Sequence, residues 1–156
     1  MLRLTTCTAL ALLATTPTCW AQERYSFGVG AGATYSGLGI AVGKHSERTM
    51  QYGSLGCMAI EDGGNSVCGI SMGAFRSDLL GTASDRHGLG LHLGLVGAGR
   101  PEPHKDLKPA YGIGLTYAYF WNGITQPGFN FGFTPALGYV KGDASGYFTL
   151  QIGYQF

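Results

Sequence analysis

Apolar side chains recur at every second position along most of the chain, and small residues, chiefly glycine, occupy the positions between. From Tyr111, the series Ile113, Leu115, Tyr117, Tyr119 and Trp121 alternates with Gly112, Gly114, Thr116, Ala118 and Phe120. Phe129, Phe131, Phe133, Pro135, Leu137 and Tyr139 alternate in the same way with Asn130, Gly132, Thr134, Ala136 and Gly138, and Leu89, Leu91, Leu93 and Leu95 with Gly90, His92 and Gly94. Near the start, Tyr25, Phe27, Val29, Ala31, Ala33 and Tyr35 alternate with Ser26, Gly28, Gly30, Gly32 and Thr34. A period of two is that of a β-strand, whose successive side chains point to opposite faces. The pattern predicts eight strands, at 25–35, 38–44, 49–60, 65–75, 87–98, 110–121, 128–140 and 146–156. The second is short, a tight turn at Ser36–Gly37 precedes it, and Pro135, which lacks a ladder donor, predicts a bulge in the seventh.

The small residues and the charges decide what kind of sheet this is. Glycine occurs 27 times, and each interior glycine costs a helix about 1 kcal/mol relative to alanine, so helical spans are excluded. Residues 25–43, 49–60, 63–75, 87–99, 109–140 and 144–156 contain no Asp, Glu, Lys or Arg. A water-soluble sheet carries such residues along its solvent face. Here neither face does, and charged residues make up only 12% of the chain, about half the share usual in soluble domains. Backbone in hydrocarbon must satisfy all its hydrogen bonds internally, which for strands requires a closed barrel. The fold expected is all-β: an eight-stranded antiparallel up-and-down transmembrane β-barrel, the bulky set facing lipid and the small set the lumen.

Ahead of the strands, Met1-Leu2-Arg3, the apolar stretch from Leu4 to Thr15, and Cys19-Trp20-Ala21 have the three parts of a secretory signal peptide, with cleavage after Ala21. The chain therefore divides into a leader, 1–21, and a barrel, 22–156. Loss of Arg3 leaves nine of the ten basic residues against nine acidic ones. That balance gives no basic surface for nucleic acid. Cys57 and Cys68 remain in an exported protein, where a disulfide is the default. Asp62-Gly63 suits a two-residue hairpin turn, and that register pairs residues whose numbers sum to 125, setting Cys57 opposite Cys68.

The last segment, Gly146 to Phe156, resembles the terminal strand of bacterial outer-membrane β-barrel proteins. Phe148, Leu150, Ile152, Tyr154 and Phe156 match its alternating apolar positions and its final aromatic. The likeness extends over the whole mature chain and is greatest to the small eight-stranded class. It implies an exported, monomeric protein of the bacterial (Gram-negative) outer membrane that meets lipid and lipopolysaccharide and is inserted by the barrel-assembly machinery, which reads that strand. The class includes enzymes, conduits and structural barrels, so no activity is implied by membership.

Candidate chemistry is sparse. His92 is the one clearly ionisable residue predicted inside a strand, directed into the lumen, and intramembrane ionisable residues are functional candidates by default. No serine or acid accompanies it, so a lumen-filling histidine bonded to Gln151 or Thr116 is the plainer reading. Lipid A deacylases and palmitoyltransferases are the enzyme classes to weigh, and His45-Ser46, placed at a turn, supplies neither pattern. Glu102, His104 and Asp106 alternate in the longest loop, where Lys105 and Lys108 oppose a cation, so no metal and no cofactor are expected. One problem stands out. A lumen lined by Gly28, Gly30, Gly32, Gly39, Ala41, Gly112 and Gly114 is not filled by its own side chains. Either Tyr52, Met58 and Phe75 cover the gap or a narrow cavity remains for a small ligand. The primary reading is a barrel without a catalytic site, structural or passing or binding a small ligand; a lipid A-modifying enzyme is the alternative, which a cluster of His, Ser and acid on one rim would favour.

Overall fold

The computed structural model describes residues 24–59, 66–81, 84–99 and 107–156. Among them, eight strands succeed one another around a closed antiparallel barrel. These are β1 (Arg24–Gly32), β2 (Gly37–Ser46), β3 (Thr49–Ala59), β4 (Ser66–Arg76), β5 (His87–Gly99), β6 (Lys108–Phe120), β7 (Gly128–Val140) and β8 (Asp143–Gln155). The up-and-down eight-stranded barrel expected from the alternation is therefore the fold. The leader, the Asp62–Gly63 turn and the Glu102–Asp106 loop lie outside the described residues.

Polarity is inverted relative to a water-soluble domain. Outward positions carry Leu38, Ile40, Val42, Leu55, Ile70, Met72, Leu91, Leu93, Leu150 and Ile152, all exposed. Inward positions bury Ser54, Ser71, His92, Thr116, Asn130, Thr134, Gln151 and Gln155. Among the described residues, buried apolar side chains form two clusters. Met50, Tyr52, Phe75, Ala118, Phe120 and Ile124 fill the half nearer the termini, and Val96, Ala110, Ala136 and Val140, with Tyr147 against them, fill the other.

Four details of the predicted strands are corrected. β2 has ten residues and is not short: Lys44, His45 and Ser46 continue the ladder opposite Gln51, Met50 and Thr49. β1 ends at Gly32, not at residue 35, and Ala33–Tyr35 form one 3-10 turn. Pro135 makes no bulge, because Gly114 still faces Ala136 and Tyr117 still faces Phe133 in one register. The irregularity falls instead in β5, where the pairing with β6 shifts between Leu95 and Gly97. An extra residue at that point reverses the inside–outside alternation, so Leu95, expected to face lipid, is wholly buried.

The disulfide is present in the expected register. Cys57 lies directly opposite Cys68 in the β3–β4 ladder, the two are bonded, and their Cα atoms are 3.9 Å apart. Both sit on the outward face, on the same side of the ladder as Leu55 and Ile70.

Candidate functional site

The glycine-lined lumen is filled by the chain itself. Gly32 and Gly37 pair with each other at the end of the β1–β2 ladder, both with positive φ, at 112° and 97°. Only glycine adopts such angles without strain, and between these two residues the chain swings inward. Ala33, Thr34, Tyr35 and Ser36 are all buried. Tyr35, which the alternation assigned to the lipid face, lies inside. Its ring covers the glycines: a Cβ added at Gly30 would come within 2.7 Å of Tyr35 Cε2, and one at Gly28 within 3.3 Å of Cε1.

Every polar side chain of this turn finds a partner on a different strand. Thr34 donates to Gln151 Oε1 on β8 at 2.6 Å. Tyr35 donates to Asn130 Oδ1 on β7 at 3.1 Å, and Asn130 Nδ2 donates back to the phenol oxygen at 2.9 Å. The Ser36 hydroxyl donates to Ser71 on β4 at 2.9 Å and is bonded to Ser54 on β3 at 2.9 Å. Ser36 has one proton, so Ser54 must be the donor in that second bond. Ser71 also accepts the Leu95 N–H at 3.0 Å, tying the chain of hydroxyls to the bulge. The turn is a plug that bridges four strands.

His92 lies beside this network, fully buried. Its Nε2 faces the Leu95 carbonyl at 3.3 Å and its Nδ1 the Tyr52 hydroxyl at 2.8 Å. A carbonyl only accepts, so Nε2 carries the proton and Nδ1 accepts from Tyr52. The partners expected for it are engaged elsewhere, Gln151 with Thr34 and Thr116 with Thr134. With both nitrogens occupied, His92 fastens the bulge to β3.

At the other end, the segment between β6 and β7 folds over the barrel mouth. Ile124 is wholly buried, its N–H donates to Asp85 O at 3.0 Å, and Gln155 Nε2 reaches the carbonyls of Ile124 and Gln126 at 3.3 Å each. Beneath this cap is a contact that alternation alone did not show. His45, placed at a turn by the sequence reading, is an inward residue of β2 and buried. Its Nε2 is 2.7 Å from Ser26 Oγ. A cavity of about 380 Å³ adjoins it, lined by Arg24, His45, Ser46, Glu47 and Thr125.

Among the described residues, no three His, Cys, Asp or Glu side chains are grouped to hold a metal ion. Of the terminal-strand residues, Phe148, Leu150, Ile152 and Phe156 are exposed on the outer wall, and Tyr154 stacks edge-on against Phe129 and Phe156, with ring centroids 5.0 and 4.9 Å apart. The chain matches no family profile, no curated protein and no solved structure.

Proposed function

We propose that this protein is a sealed, monomeric barrel of the bacterial outer membrane, exported on its leader and inserted by the barrel-assembly machinery. One observation carries the reading: apolar side chains cover the outer wall while the polar ones are bonded to each other inside. That inversion suits a protein whose solvent is hydrocarbon. The rings of Tyr25, Trp121, Phe129 and Phe156, all exposed near the terminal end, supply the aromatic girdle such barrels place at the membrane interface. Lipid and lipopolysaccharide are then its surroundings.

The plug argues against a standing conduit. Thr34, Tyr35 and Ser36 obstruct the lumen, and Ile124 closes the mouth nearer the termini, so the wild type should insert into vesicles without making them permeable. The test is reconstitution in lipid vesicles and then a solute-swelling assay, alongside Tyr35→Ala. Wild-type protein that resists alkaline extraction and leaves the vesicles tight supports the reading, as does a permeable Tyr35→Ala. Protein that extracts freely overturns the membrane assignment. Wild-type protein that passes solutes overturns the seal.

A further inference from the structure

The contact between Ser26 and His45 has a chemistry that the plug does not use. The two residues are diagonal neighbours: Ser26 faces Gly43 across the β1–β2 ladder, and Arg24 faces His45. Gly43 creates the room, since a Cβ there would lie 2.7 Å from Ser26 Oγ. Any other residue at this position would push the hydroxyl off the ring. The result is a serine oxygen 2.7 Å from His45 Nε2, on a half-buried serine beside an imidazole only 2% exposed.

His45 Nδ1 is buried and closes no hydrogen bond, while Nε2 has the Ser26 hydroxyl at 2.7 Å. In the tautomer that carries its proton on Nδ1, Nε2 is the acceptor and the Ser26 hydroxyl donates to it. His92 differs on this point: its Nδ1 accepts from the phenol of Tyr52 and its Nε2 is held by the Leu95 carbonyl.

We propose that Ser26 is a nucleophile and His45 its general base, acting on a carboxylic ester admitted through the rim cavity that His45 lines together with Arg24, Ser46, Glu47 and Thr125. Ser26 Oγ adds to the ester carbonyl carbon while its proton passes to His45 Nε2. The tetrahedral adduct collapses with cleavage of the bond to the alkoxy oxygen, which leaves as an alcohol carrying that proton, and an acyl-Ser26 ester remains. Water then adds to the acyl carbon, gives its proton to Nε2, and the proton returns to Ser26 as the carboxylic acid departs. No redox partner is required. Arg24, Ser46 and Thr125, which line the cavity, carry donor groups of the kind that stabilise a developing oxyanion.

The test uses the folded, full-length mature protein, identified by its heat-modifiable band, with a fluorophosphonate probe and intact-mass and peptide analysis. A single adduct on the Ser26 peptide is expected. Ser26→Ala should abolish it, His45→Gln should slow it by about a hundredfold, the range of general-base contributions, and Ser145→Ala at the far end should leave it unchanged. If Ser26→Ala fails to fold, Ser26→Cys serves instead: it should be alkylated by iodoacetamide, and more slowly once His45→Gln is added. Two ester arms identify the source. Release of p-nitrophenol from its acetate assigns small soluble esters, and release of fatty acid from phosphatidylethanolamine vesicles assigns membrane lipid. No adduct on the folded wild type, an adduct on another residue, undiminished labelling of His45→Gln, or turnover in neither arm overturns the proposal.

Discussion

The ring of Tyr35 occupies the space that Gly153 leaves on β8: a Cβ built on Gly153 would collide with Tyr35 Cζ, Oη and Cε2. The plug and the last strand are therefore fitted to each other across more than a hundred residues of chain. Gly146 lies on the same strand with nothing within 4 Å of its Cβ position.

This contrast gives the first prediction. Gly153→Val should displace the plug and destabilise the barrel by about 1–3 kcal/mol, the usual penalty for overpacking. Gly146→Val should be neutral or slightly stabilising, because valine suits a strand better than glycine does. Urea unfolding in lipid vesicles, monitored by tryptophan fluorescence, measures both. Equal losses at the two positions would mean that Tyr35 does not sit against β8.

The inward turn also marks where the sequence stopped being legible. Strand number and order came from period two, because a closed barrel leaves one face to each parity and the chain must alternate to respect it; the one register read in advance, that of β3 with β4, came from the Asp62-Gly63 turn. The vacancy in the lumen was legible too, in Gly28, Gly30, Gly39 and the other inward glycines. Part of its filling was named too, in Tyr52 and Phe75, both buried inside; the plug was not. Alternation continues through Ala33 and Tyr35 as if the strand did, and only the backbone angles at Gly32 and Gly37 reverse their direction. Leu95 misled for a related reason, since one extra residue in β5 flips the parity of the rest of that strand. The Ser26–His45 contact was hidden by ending the second strand at Lys44 and reading His45 and Ser46 as turn, although Glu47-Arg48 alone makes it. The glycine at 43, opposite Ser26, was the available signal.

The disulfide has a direct test. Denatured but unreduced protein of residues 22–156 should show no thiol reactive toward maleimide, and two after reduction. Replacing Cys57 and Cys68 together by serine removes a constraint on a short loop, their separation being 11 residues. The entropic model sets the loss at about 3 kcal/mol. The measured loss should be smaller, since the β3–β4 ladder already restrains both residues. Two free thiols in the unreduced wild type would sink the assignment.

His92 should matter for stability and for nothing catalytic. His92→Ala leaves the Tyr52 hydroxyl and the Leu95 carbonyl without their buried partner, at a cost of roughly 2–4 kcal/mol for two such groups. Adding Tyr52→Phe to that variant should cost little more, because the bond it would break is already gone. The lipid A mass spectrum of expressing cells should be the same with His92→Ala as with wild type. A change in lipid A that depends on His92 would assign this residue an enzymatic role.

The final pair of residues separates insertion from stability. Phe156 is exposed on the outer wall, its ring 6.3 Å from that of Phe27 and 4.9 Å from that of Tyr154. Its backbone N–H donates to Phe27 O at 2.7 Å, closing the seam between last strand and first. Gln155 points the other way, buried under the cap with Nε2 on two carbonyls of the β6–β7 connection. Phe156→Asp places a charge in the aromatic ring around the barrel and removes the terminal residue that the proposed assembly route reads. It should therefore sharply reduce the yield of folded, protease-resistant, heat-modifiable protein. Gln155→Ala leaves that outward series intact and removes only the bonds holding the cap. It should fold in normal yield and lose about 1–3 kcal/mol in stability, from two carbonyls deprived of a donor, with faster proteolysis of residues 121–127. If both variants lost folded yield equally, the division of the last strand into an outward set read at assembly and an inward set holding the cap would be wrong.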